Sequence, residues 1–111
     1  MKKMFVGAMA VMMSVTAASA GFVDSNETIV TVAQVKEMRD DVPVIVTGNI
    51  IKSMGDEKYL FRDATDSIVI EIDDDDWNGL TVTPDDNVKL YGEVESKLFK
   101  TEIEVDRIEK L

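Results

Sequence analysis

From Val42 to the C-terminus the chain alternates apolar and polar residues with a period of two, and this restricts its fold more than any other feature. Val42, Val44, Val46, Gly48 and Ile50 share one face of a long strand whose other face carries Ile45, Thr47, Asn49 and Ile51. Gly48 in its middle predicts a bend or bulge, as where a strand curls round a small barrel. Pro43 stands at the strand start, where a missing N–H is tolerated. Four further strands follow: residues 58–63 with Tyr59 and Phe61 on one face, 67–72 with Ile68, Ile70 and Ile72, 87–96 with Val88, Leu90, Gly92 and Val94, and 101–108 with Ile103 and Val105. Ile108 falls out of step with the last pattern. Residues 54–57 and 63–66 are turns, and 73–84 is a longer connection with one helical turn near Trp77, which is placed to plug the bottom of a barrel.

Before the strands, Thr31-Val32-Ala33-Gln34 has the form of a capping box. Val32, Val35 and Met38 fall at helical spacing, which predicts a short amphipathic helix over 32–39, closed by Asp40-Asp41. One short helix and five strands make the chain mainly β. A five-stranded Greek-key barrel of this kind is the OB-fold; period alone leaves an SH3-like barrel or a small sandwich open.

The first twenty residues read differently. A basic start (Met1-Lys2-Lys3), an apolar run over 4–15 and the small-x-small site Ala18-Ser19-Ala20 are the three regions of a secretory signal peptide, cleaved after Ala20. The run is shorter than the roughly 20 residues a membrane-crossing helix needs. The expected organisation is a signal peptide over 1–20, a flexible leader over 21–30 and a single domain over 31–111, exported to the periplasm without a membrane anchor. Losing Lys2 and Lys3 takes the formal charge from −10 to −12. So acidic a chain repels phosphate backbones, which argues against nucleic acid and for cationic partners. There is no cysteine, hence no disulfide and no acylated N-terminal cysteine, and no histidine, the commonest general base.

Five segments carry a resemblance: Val46-Thr47-Gly48-Asn49-Ile50, Tyr59-Leu60-Phe61-Arg62-Asp63-Ala64-Thr65, Val69-Ile70-Glu71-Ile72-Asp73, Trp77-Asn78-Gly79 and Tyr91-Gly92-Glu93-Val94. In this order and spacing they resemble the bacterial OB-fold (BOF) proteins of the YgiW/YdeI type, over roughly residues 31–108. The resemblance implies an exported, non-enzymatic OB-fold protein without a cofactor. It further implies a role in tolerance of oxidative, metal or cationic-peptide stress through an envelope ligand or a periplasmic or outer-membrane protein. One departure is Asp66, where the family usually has glycine; aspartate can also occupy a left-handed turn position.

Candidate chemistry is sparse. Asp73, Asp74, Asp75 and Asp76, with Asp85 and Asp86 further on, offer oxygen ligands for a hard cation, but the EF-hand spacing is absent, and aspartates starting a helical turn satisfy free N–H groups in any case. Glu71 and Asp73 share a strand face, yet glycosidase chemistry needs two carboxylates across a cleft, which short loops do not build. The serines have no histidine to activate them. OB-folds bind ligands on the face of strands 2 and 3 and in the loops joining strands 1–2 and 4–5. Here that region supplies Tyr59, Arg62 and Glu71, with Lys97 and Phe99 in the last loop. Tyr59 and Phe61 alternate as core residues do, whereas Phe99, between Lys97 and Lys100, is the better surface aromatic. The expected function is ligand or partner binding in envelope stress tolerance; the alternative is an acidic protein that binds metal ions or cationic peptides. An envelope-glycan enzyme would require a cleft around Glu71.

Overall fold

A computed structural model describes residues 27–111. The expected signal peptide and most of the expected leader lie outside the described residues. The elements are α1 (Val32–Val35), β1 (Pro43–Gly55), β2 (Lys58–Arg62), β3 (Ser67–Ile72), β4 (Val88–Lys97) and β5 (Lys100–Lys110), with a 3-10 turn at Asp74–Trp77 between β3 and β4. The strands close into a barrel in the order β1-β2-β3-β5-β4. All pairs are antiparallel except β3 with β5. Closure leaves no free sheet edge.

The period-two pattern becomes the core directly. Val44, Val46 and Ile50 of β1, Phe61 of β2, Ile68, Ile70 and Ile72 of β3, Val88, Leu90 and Val94 of β4, and Ile103, Val105 and Ile108 of β5 all point inward and are buried. Ile108 is out of step because the β4–β5 register slips between Tyr91 and Gly92: Gly92 faces Val105 while Tyr91 faces Arg107. Asp106 is the extra residue of a bulge, and the slip returns Ile108 to the interior.

Gly48 marks the corner the sequence predicts. Up to Gly48, β1 pairs with β4; from Asn49 it pairs with β2. A Cβ at Gly48 would overlap the carbonyl oxygen of Arg62 and lie 2.9 Å from Phe61 Cζ. Only a residue without a side chain lets β1 cross so close to the end of β2.

The helix is shorter than its periodicity predicts. The capping box forms, with Gln34 N–H donating to Thr31 Oγ1 (3.1 Å) and Thr31 N–H to Gln34 Oε1 (2.9 Å). After Lys36 the bonds tighten to three-residue spacing, Glu37 N–H to Gln34 O and Met38 N–H to Val35 O. Asp41 then takes a left-handed φ of 69° and its N–H donates to Val94 O at 2.7 Å. That bond draws the chain onto β4 before a further helical turn can form. Val32 and Val35 are fully buried, so α1 closes one end of the barrel. Trp77, expected to plug the barrel bottom, is half-buried and packs against the core from the 3-10 turn. Among the residues of the expected leader, Val30 N–H donates to Ile45 O (2.9 Å) and Glu27 pairs with Lys89 (2.8 Å).

Asp66, the departure noted from the resemblance, is not among the left-handed residues. Asp63 explains why. Its Oδ1 accepts from Thr65 N (2.8 Å), Thr65 Oγ1 (2.6 Å) and Asp66 N (3.1 Å), and its Oδ2 accepts from Val32 N (2.8 Å). The turn is built on the Asp63 carboxylate, and the following position keeps an ordinary backbone.

Candidate functional site

β2, β3 and β5 present an outward face between the α1 end and the β4–β5 hairpin. It forms an open groove of about 680 Å³ lined by Leu60, Ser67, Val69 and Thr101, with Lys36 on one side and Lys97, Leu98, Phe99 and Lys100 on the other. Leu98 and Phe99 form the hairpin tip and are 87% and 93% exposed. Two large apolar side chains held this far into water at adjacent positions have no packing role in the fold.

The base of the hairpin is an ion cluster on Glu102, the one charged residue among the described residues whose side chain is buried. Its carboxylate accepts from Lys58 Nζ at 2.8 Å and is paired with Lys100 at 3.2 Å and Lys97 at 3.7 Å. Burial pushes the Glu102 carboxyl up, but its bonds to Lys58 and Lys100 outweigh burial and hold it below its ordinary value. The hydrogen bond to Glu102 in turn raises Lys58. This buried carboxylate holds Lys58 by a hydrogen bond and draws the more exposed Lys97 and Lys100 toward the base of the apolar tip.

Further along the same face, carboxylates stand in register across three strands: Glu71 of β3 opposite Glu104 of β5, and Glu104 opposite Glu93 of β4. Like charges directly opposite one another destabilise a sheet. Glu104 shows the effect: desolvation, then the fields of Glu95, Glu71, Asp106 and Glu93, raise its carboxyl above the ordinary range. Glu71 also converges with Glu57 and Asp73, whose carboxylate oxygens lie within 4.8 Å of one another.

The sequence-derived candidates therefore separate. Lys97 and Phe99 line one groove. Arg62 is exposed at the last position of β2, paired with the groove residue Ser67 but lining a second hollow with Val30, Asn49 and Leu111. Tyr59 is half-buried and meets Trp77 edge to face, with ring centroids 5.5 Å apart, so it packs rather than presents a stacking surface. Of the aspartate run, Asp73 joins Glu57 and Glu71, while Asp74 to Asp76 form the 3-10 turn. Asp86 is engaged elsewhere, accepting from Thr83 N at 2.8 Å and pairing with Lys110 at 3.6 Å. Sequence reasoning missed Glu102, Glu104 and Leu98. The local signal for Glu102 was the pair of lysines at 97 and 100; its main partner, Lys58, lies 44 residues away.

With this geometry in view, the likeness to known proteins is specific. The family model for the bacterial OB fold (BOF) protein matches residues 6–110. The chain belongs to the bacterial OB-fold family. It is 42% identical over 86 residues to the protein YgiW of Escherichia coli K12, covering 78% of this chain and 66%, just under two thirds, of YgiW. It is also 42% identical over 82 residues to the calcium-regulated OB-fold protein CarO of Pseudomonas aeruginosa, covering 74% of this chain and 71% of CarO. The solved structure of YgiW superposes with a TM-score of 0.75 over 76% of this chain and 90% of that one. The mainly β, five-stranded OB barrel of this BOF protein is the fold the resemblance implies, and it settles the SH3-like barrel and sandwich alternatives that the strand period leaves open.

Proposed function

We propose that this bacterial OB-fold protein is a non-catalytic binding module of the periplasm that supports envelope stress tolerance by engaging a ligand or partner through the β4–β5 hairpin and the groove beside it. The observation that carries this reading is the exposed Leu98–Phe99 tip flanked by Lys97 and Lys100, on the face that OB-folds use for ligands. A chain without histidine or cysteine has few means of acid–base or nucleophilic work at neutral pH, which favours binding over catalysis. Export rests on the signal-like N-terminus, and N-terminal sequencing of the protein recovered from the periplasm is expected to begin at Gly21. In a strain lacking the protein, the wild type should restore survival under peroxide, divalent metal or cationic peptide, and the Leu98→Ser/Phe99→Ser variant should not. Full rescue by that variant, at equal protein level, would overturn the role given to the hairpin.

A second reading, cation binding, is favoured by one observation: Glu57, Glu71 and Asp73 converge beside the Glu71–Glu104–Glu93 row. The relative CarO is described as calcium-regulated. If calcium binds here, millimolar calcium raises Tm above a sodium control of equal ionic strength, and Glu71→Gln/Asp73→Asn abolishes the difference. Equal melting in both salts would exclude it.

A further inference from the structure

We infer that the β4–β5 hairpin is a membrane-interface wedge: Leu98 and Phe99 enter the boundary of an anionic phospholipid bilayer while Lys97 and Lys100 engage the headgroup phosphates. The inference rests on the envelope location and hairpin-binding role proposed above, and it names the partner.

The tip has the chemistry of an interfacial anchor. Leu98 and Phe99 are the two most exposed large apolar residues among those described, and they are adjacent at the end of a long hairpin. Because so little of either side chain touches protein, a small rigid ligand in the groove would cover only one side of them. A bilayer surrounds a wedge on all sides and removes nearly all of that surface from water. The lysines stand one residue to either side, and their side chains are 42% and 58% exposed, enough to reach outward from the Glu102 cluster. Lys58, Lys97 and Lys100 gather on Glu95 and Glu102, with Asp40 accepting from Ser96 N (2.8 Å) beside them and Glu71 within the field of Lys58; Lys97 and Lys100 are the charges that flank the tip itself.

The acidic remainder of the molecule does not forbid the contact. Glu93 and Glu104 stand five residues back from the tip on either strand, about 17 Å at roughly 3.4 Å per residue. That is twice the Debye length of about 8 Å at physiological ionic strength. The bilayer therefore meets the apolar pair and its two flanking lysines first; the Glu93–Glu104 row lies beyond its screened field, while Glu95 and Glu102, three residues back, are paired with the lysines themselves.

The test uses the protein recovered from the periplasm, so that wild type and variants share one N-terminus, in sedimentation with vesicles of phosphatidylglycerol and phosphatidylcholine or of phosphatidylcholine alone. Wild type is expected to bind the mixed vesicles and not the neutral ones. Leu98→Ser/Phe99→Ser should weaken binding by roughly 100-fold or more, the scale for leaving two large apolar side chains in water. Lys97→Gln/Lys100→Gln should abolish the preference for the anionic lipid. In a Trp77→Phe background, Phe99→Trp should shift its emission to the blue only with anionic vesicles. Equal binding by wild type and the serine variant, or no binding to anionic vesicles, would overturn the wedge. A serine variant that loses a concentration-dependent dimer instead of vesicle binding would assign the tip to a second copy of the chain and equally overturn it. If vesicles fail but the same variant still fails to rescue stressed cells, the hairpin-binding reading stands and only the bilayer is excluded.

Discussion

Desolvation and the fields of Glu95, Glu71, Asp106 and Glu93 all act against the charged form of Glu104. Its carboxyl is raised in the folded chain, so folding favours the protonated form. That contribution is complete below the unfolded value near pH 4.3 and is lost as pH rises through the folded value, leaving a penalty at pH 7. Glu104→Gln should therefore raise Tm at pH 7, and the gain should vanish in thermal melts at about pH 4 and below. Gly92 is limited by space, because a Cβ there would overlap the Glu104 carbonyl oxygen and sit 3.0 Å from Val105 Cα. Gly79 has open space around it but a φ of 77°. By urea denaturation Gly92→Ala should cost about 3 kcal/mol, as overpacking against backbone does. Gly79→Ala should cost only about 1 kcal/mol, the price of a left-handed backbone.

At the scale of elements, α1 is too short to be stable alone and is held by two devices. One is its own capping box; the other is the Asp63 carboxylate, which accepts from Val32 N while organising the β2–β3 turn. Thr31→Ala should cost about 1 kcal/mol. Asp63→Ala should cost about 2–3 kcal/mol, since it leaves several N–H groups without an acceptor at once. Burial pushes the Asp63 carboxyl up, and hydrogen bonds from Thr65, Val32 and Asp66 hold it below its ordinary value. Its contribution is therefore present above the unfolded value near pH 3.9 and is lost as pH falls through the lowered folded value. The Asp63→Ala penalty, read from urea midpoints across pH, should shrink in that acid window. The capping box was legible because all its atoms lie within four consecutive residues. The Asp63–Val32 bond was not, since it joins residues 31 apart.

Over the whole molecule, a charge of −10 makes the folded barrel repel itself. Added salt screens that repulsion, and the exposed ion pairs it also weakens contribute little. Tm at pH 7 should therefore rise between 0.05 and about 0.5 M sodium chloride, a range over which the Debye length contracts severalfold. A flat or falling Tm would mean that ion pairs such as those on Glu102 outweigh the net repulsion.

The alternation of apolar residues determined the strands, their inward faces and the corner at Gly48, because side-chain period and chain reach are local properties. Even the bulge at Asp106 was written there, as Ile108 falling out of phase. The Thr31–Gln34 cap was likewise set by neighbouring residues. What only the tertiary structure decided was which outward-facing groups meet. Barrel closure set β5 between β3 and β4, gathered Lys58, Lys97 and Lys100 on Glu102, and aligned Glu71, Glu104 and Glu93 into one row. It turned Tyr59 onto Trp77, put Arg62 on a second hollow beside Val30 and Asn49, and left Leu98 and Phe99 exposed to water. An outward position in the sequence says only that a residue leaves the core; strand order and register decide what it faces.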